Sequence, residues 1–205
     1  MLNHDQSDHR YGSGAGSQCQ AISFIAMGAN EKIKEASLWN ENDIITIMHA
    51  SSGFYRNNIR TGNIHLTTDD LTRELSFFTK TVKLTDLFSV EFGFVLFPRL
   101  IMIYLTRCIL FFQQRCTGAM FTASLFTVSI LRCENHFFVL DSHSQNSLGF
   151  QCPNGGANFL QITSVDSISM FVMKQCQAGR GIDKNMYYAL SWCNFISLEV
   201  TNDLL

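Results

Sequence analysis

Cys19 closes the run Arg10-Tyr11-Gly12-Ser13-Gly14-Ala15-Gly16-Ser17-Gln18-Cys19, a glycine-rich approach that turns directly into a helical pattern. A cysteine attacks as its thiolate, and a free thiol titrates near about 8.5, so a nucleophilic role requires something that lowers that value. The first turn of a helix supplies about half a positive charge. Gly12, Gly14 and Gly16 expose the nucleophile and let backbone approach a reacting carbonyl, with amides near Gln18 and Cys19 available to an oxyanion. Far downstream, the strand-like run His136-Phe137-Phe138-Val139-Leu140-Asp141 continues into Ser142-His143. Residues i and i+2 of a strand share a face, so Asp141 and His143 project together and Ser142 points the other way. The carboxylate can accept from one imidazole nitrogen and leave the other facing a thiol, which is the orienter, base and nucleophile set of a cysteine hydrolase. An upstream side-chain amide can also donate to the oxyanion, and both Gln6 and Gln18 fit that role.

Taken singly, each motif has a plainer reading: Cys19 as a core cysteine beside Ile22 and Ala26, Asp-x-His as a surface turn. The remaining candidates are weaker. Cys133 and His136 have the spacing of half a metal site, but no second pair lies at ligand spacing. Cys108, Cys116, Cys176 and Cys193 lie in apolar surroundings and are expected to pack. Cys152, before Pro153, is given no role, and His4, His9, His49 and His65 are expected at the surface. Asp8 and Arg10 are spaced to pair and fix the lead-in loop, while Trp39 and Trp192 fit ordinary packing. No cofactor and no metal are expected.

The elements that must hold these residues follow from periodicity. Residues 1–18 are expected to be extended or looped. A helix should start at Ser17 as N-cap and carry Ile22, Ile25, Ala26 and Ala29 on one face, ending near Gly28 to Asn30. A second is expected over about 40–57, capped by Asn42 or Asp43, and a third from Thr68-Asp69-Asp70-Leu71 through Leu75 and Phe78. Met120 to Leu131 predicts a strand, and its polar break at Cys133-Glu134-Asn135 before His136 to Asp141 predicts an antiparallel hairpin. Ser147-Leu148-Gly149 and the loop Cys152-Pro153-Asn154-Gly155-Gly156 precede a strand from Ala157 to Ile162, a helix from Ser164 to Lys174 and a closing strand from Met186 to Val200. The fold class is α+β: N-terminal helices packed on an antiparallel sheet made mostly by the C-terminal half.

A chain of 205 residues with 46% hydrophobic and 12% aromatic content fits a single domain with a full core. Its net charge of −2 offers no basic field for a phosphate backbone, so nucleic acid is not an expected partner. Seven scattered cysteines without a C-x-x-C pair fit a reducing compartment, hence an intracellular location in cytoplasm or nucleus, and no signal peptide is read. Residues 92–112 are strongly apolar but carry Pro98, Arg99 and Arg107. A span needs about 20 apolar residues with few charges, so a core segment is preferred to a membrane span.

The blocks His4-Asp5-Gln6-Ser7-Asp8-His9-Arg10-Tyr11-Gly12 and Ala15-Gly16-Ser17-Gln18-Cys19 resemble the N-terminal catalytic motif of the herpesvirus large tegument protein deubiquitinases. They resemble still more the related OTU-like cysteine protease domains of animal genomes and mobile elements. The run His136 to Ser144, with Gly149 and Cys152-Pro153-Asn154-Gly155-Gly156, is similar to the same family's Asp-x-His strand and following loop. The resemblance implies a papain-like cysteine protease that cleaves ubiquitin, or a ubiquitin-like modifier, from conjugates. It assigns Cys19 as nucleophile, His143 as base, Asp141 as orienter and, over Gln18, Gln6 as oxyanion donor. Glycines 12–16 and 155–156 are candidates for lining the channel of a diglycine tail. Residues 80–115 match nothing in that pattern and are a candidate insertion, and Gln145 stands where relatives commonly have arginine. These departures motivate a rival reading, a pseudoprotease that binds ubiquitin or a protein partner without turnover; a membrane-associated protein using residues 92–112 is a third.

Overall fold

Among the described residues seven strands make the frame: β1 (Glu74–Phe77), β2 (Lys80–Phe92), β3 (Gly118–Ala123), β4 (Phe126–Cys133), β5 (His136–Gln145), β6 (Gly156–Ile162) and β7 (Tyr188–Leu198). They form one sheet in the order β1-β2-β7-β3-β4-β5-β6, antiparallel at every junction. The computed structural model describes residues 2, 5–59, 66, 70–71, 74–77, 80–92, 103, 105–110, 116–123, 126–146, 152, 154–180 and 188–198. Helices α1 (Cys19–Lys32) and α2 (Glu41–Asn58) precede the sheet in the chain, and α3 (Val165–Arg180) links β6 towards β7.

Strand alternation sorts the core into two layers. Met120, Leu131, Phe138, Leu140 and Phe195 join α1 and α2, where Phe24 packs between Phe54 and Phe195 with ring centroids 5.7 and 5.5 Å away. Phe121, Ile130, Val139, Leu190 and Trp192 join the opposite layer with Ile168, Val172 and Met173 of α3 and with Leu105 and Ile109. Helical structure thus covers both faces of the sheet, whereas the sequence predicts N-terminal helices on one.

Several expected elements are corrected. The lead-in is not simply extended, since His9–Gly14 forms a 3-10 helix. Gln18, not Ser17, is the N-cap of α1, with no side-chain cap, and the helix runs through Gly28 to Lys32 because that buried face continues. Asn40 caps α2: its side chain accepts from the Asp43 amide while the Asp43 carboxylate accepts from the Asn40 amide. This reciprocal pair satisfies two helix-end donors, so Asp43 is a partner of the cap, and Asn42 is not involved. The helix expected through Leu75 is strand β1, held by the ladder Glu74↔Lys83 to Phe77↔Lys80; Thr68, Asp69 and Phe78 lie outside the described residues. Residues 120–131 are not one strand but parts of β3 and β4, paired with each other. The predicted hairpin is β4 to β5, with Cys133 paired to His136 and Glu134 in the left-handed region at φ 50. The strand at the C-terminal end is interior: β7 pairs with β2 on one side and β3 on the other.

Within the unplaced stretch 80–115, β2 is integral to the sheet through its ladder from Thr81↔Leu198 to Phe92↔Tyr188. Most of the apolar run 92–112 lies outside the described residues, as do His4, His65, Pro153 and the segment 147–149. No described helix is long and apolar enough to cross a membrane.

Candidate active site

The nucleophile candidate sits where the sequence places it, at the first position of α1, whose opening hydrogen bond runs from the Ile22 amide to the Gln18 carbonyl. The positive end of the helix therefore lies at the thiol. Gly16 adopts φ 82, a backbone state that a Cβ disfavours, so the approach turns there on glycine. Contrary to the expectation of an exposed thiol, Cys19 is only 4% accessible. Burial pushes its thiol up, but a hydrogen bond and the positive charge from His143, joined by hydrogen bonds from Thr127, bring it below its ordinary value.

Asp141 and His143 meet as the i, i+2 spacing predicts. The Asp141 Oδ1 accepts from His143 Nδ1 at 2.6 Å and from the His143 backbone amide at 3.0 Å. Burial, the largest single influence, works against the imidazolium; the charge and hydrogen bond of Asp141 together with the Cys19 contact outweigh it and raise the ring to about 10. Phe126 stacks on the ring, centroids 4.9 Å apart, and restricts its tilt. Nucleophile, base and orienter candidates are thus in continuous hydrogen-bonding contact. With a lowered thiol and a raised imidazole they favour a thiolate–imidazolium pair.

The backbone of β5 is bulged at this point. Asp141 pairs with Asn158 and Gln145 with Gly156, so residues 142–144 cover an interval that β6 crosses with Ala157 alone. Bulges re-aim side chains and leave backbone groups outside the ladder. The lead-in takes these up: the Leu2 amide donates to the Ala157 carbonyl at 2.9 Å and the Gln6 amide to the Ser142 carbonyl at 2.9 Å. Gly16 then donates to the Gln6 carbonyl at 2.8 Å, which ties Gln6 to the Cys19 approach as well. The Ser142 hydroxyl donates to Gln6 Oε1 at 3.4 Å, so the amide NH2 of this buried side chain is turned away from Ser142. Gln18, also buried, instead directs its NH2 to the Tyr11 carbonyl at 3.5 Å.

Sequence reasoning missed Phe126, Thr127, Ser142 and Asn158 as neighbours of the site. Strand register and the bulge bring them in, and only the bulge-adjacent glycine gives a sequence signal. A Cβ on Gly155 would fall on the Gln145 backbone. We predict that Gly155→Ala lowers stability by about 1–3 kcal/mol, read as a drop in Tm, because backbone cannot rotate aside. Ser144 completes that junction, donating to the Cys152 carbonyl at 2.6 Å and accepting from the Gly155 amide at 3.0 Å.

The other candidates are placed elsewhere. The Cys133 thiol donates to Asn30 Oδ1 at 3.2 Å, and among the described residues no group of three or more His, Cys, Asp or Glu could hold a metal. Cys116 and Cys193 are buried, Cys108 and Cys152 are half-buried, and the side chain of Cys176 lies outside the described set. Arg10 pairs with Asp8 at 2.8 Å in the lead-in. Trp39 stacks on Phe159 and Trp192 on Phe88.

A family model for the herpesvirus tegument protein N-terminal conserved region matches residues 3–192. Among solved structures, the fold resembles the ubiquitin-specific protease encoded by murine cytomegalovirus tegument protein M48, solved with a ubiquitin-based suicide substrate. The TM-score is 0.71 at 13% identity, over 99% of this chain and 88% of that one. No curated protein matches the sequence significantly.

Proposed function

The chain belongs to the family of the herpesvirus tegument protein N-terminal conserved region, and from that premise we propose that it is a cysteine-dependent deubiquitinase. The observation that carries this reading is the contact chain Asp141, His143 and Cys19 at the start of α1. In the proposed reaction the Cys19 thiolate attacks the carbonyl of the terminal glycine of ubiquitin. The oxyanion that forms accepts from the Gln6 NH2 and the Cys19 amide. As the C–N bond breaks, the His143 imidazolium gives its proton to the leaving amine, producing a thioester. Water then attacks the thioester, His143 takes one of its protons, the thiolate leaves, and the carboxylic acid formed gives its remaining proton to solvent. Asp141 holds the ring in the tautomer and orientation that both proton transfers need.

Gln6 is preferred over Gln18 as the oxyanion donor because its backbone is tied to both the Cys19 approach and the His143 strand. The span of the family match, with β2 inside the sheet, supports reading residues 1–205 as one domain. Ubiquitin as substrate, an intracellular location and the OTU-like affinity belong to the same proposal.

The test is a ubiquitin probe carrying a C-terminal electrophile. The expected result is a covalent adduct mapped by mass spectrometry to Cys19, together with hydrolysis of a ubiquitin–fluorophore substrate. An adduct absent from Cys19 would sink the proposal; binding of ubiquitin with neither adduct nor hydrolysis would establish the pseudoprotease instead.

A further inference from the structure

Asp141 has two carboxylate oxygens, and the proposed catalysis uses one. Oδ1 faces His143, while Oδ2 accepts from the side-chain NH2 of Gln145. Gln145 Oε1 in turn accepts from Asn158 Nδ2 at 2.9 Å, and the same NH2 donates to the Asn146 carbonyl at 2.8 Å. With two acceptors facing it, the Asn158 amide has one sensible orientation. That fixes the Gln145 oxygen towards β6 and its NH2 towards Asp141. All three side chains are sealed from solvent, Asp141 and Gln145 at 0% and Asn158 at 1% exposure.

The contact depends on the β5 bulge. In a regular strand, residues i and i+4 lie about 13 Å apart, too far for a glutamine to reach an aspartate. The register shift between Asp141 and Gln145 shortens that interval. We infer that Gln145 and Asn158 are positioning residues that act through Asp141: a neutral amide relay from β6 that occupies the second carboxylate oxygen and keeps the first aimed at His143. The inference rests on the proposed roles of Cys19, His143 and Asp141.

The neutrality of the relay matters. A buried carboxylate needs donors on both oxygens, and a cation on Oδ2 would offset the field that Asp141 exerts on the imidazolium. An amide donor satisfies the oxygen and leaves the charge facing His143. Around His143, β4 contributes Phe126 and α1 contributes Cys19, so Asp141 and Cys19 are the charged partners that act on the ring.

The experiment measures Cys19 alkylation by iodoacetamide against pH, alongside turnover of ubiquitin–fluorophore, in wild type, Gln145→Met and Asn158→Ala. Methionine keeps the length of the side chain and removes the donor. Without that donor the carboxylate is no longer held towards His143 and stabilises the imidazolium less, so protonation displaces the thiolate–imidazolium pair at a higher pH. The acid limb of the alkylation profile is expected to rise by about one pH unit in Gln145→Met and by less in Asn158→Ala. At a pH on that limb, kcat should fall about tenfold with KM unchanged. An acid limb that stays at the wild-type pH in both variants, even with a lowered Tm, would overturn the inference and leave the pair a packing role. If Gln145→Met does not fold, the limb in Asn158→Ala decides. Alkylation needs no ubiquitin, so a shifted limb without turnover would uphold the relay while rejecting the proposed substrate.

Discussion

Replacing His143 with alanine is expected to lower kcat/KM for a ubiquitin–fluorophore substrate by about 10^4- to 10^6-fold, and to reverse the pH behaviour of the Cys19 thiol. In the intact site two effects oppose each other at the sulfur: burial raises its pKa, and His143 with Thr127 lowers it, with lowering the net result. Removing the imidazole leaves the burial penalty opposed by the weaker Thr127 hydrogen bonds and the helix end. The thiol should then titrate above its ordinary value, and alkylation at neutral pH should slow by about 100-fold. Wild type is expected to show a plateau of fast alkylation. Its acid end is set by the lowered thiol, which protonates as pH falls. Its alkaline end lies where His143 loses its proton as pH rises through about 10. A His143→Ala protein that keeps the wild-type acid limb would mean that another group sustains the thiolate.

Asp141→Asn should cost about 10^4-fold in kcat with little change in KM. Asparagine keeps the shape but offers one acceptor and one donor. Both sides of residue 141 face donors: the His143 Nδ1 and backbone amide on one, the Gln145 NH2 on the other. Whichever way the amide turns, its NH2 meets another NH. Relief comes if the imidazole moves its proton to Nε2, which removes the lone pair that would take the Cys19 proton. The loss should therefore appear in kcat, accompanied by slow alkylation of Cys19 near neutral pH. Full activity in this variant would show that the carboxylate neither orients nor polarises the ring.

These residues were legible because their relations are local. A cysteine at the onset of an apolar 3.6-residue period, and an i, i+2 pair at a strand end, need no tertiary information. Gln6 was legible only through its place in a motif, since its tie to Ser142 crosses most of the chain. β1 misled because Leu71, Leu75 and Phe78 fit a helical stripe over so short a run, while the deciding factor was the ladder to Lys80 through Lys83. Gln145, Asn158 and Thr127 could not be read as neighbours of the site, because the bulge and the strand register create those contacts. The second helical layer was hidden for a similar reason: α3 was predicted, but the face it would cover was not.

The interior position of β7 also sets the order in which the molecule can assemble. Until residues 188–198 are available, the β1–β2 ribbon and the β3–β6 meander have no shared edge, so they wait as separate pieces. Pairing across such sequence distances is slow, and the waiting edges of β2 and β3 are templates for association with other chains. Part of helix α1 shares that delay, because Phe24 packs on Phe195 and Glu31 accepts from the Phe195 amide at 3.2 Å. Cys19 is made well before β7, and its helix can pack on Met120, Leu131 and Phe138 while the Phe195 contacts await the middle of the sheet. The packing around the helix that carries the thiol is therefore complete only once residues 188–198 have joined the sheet.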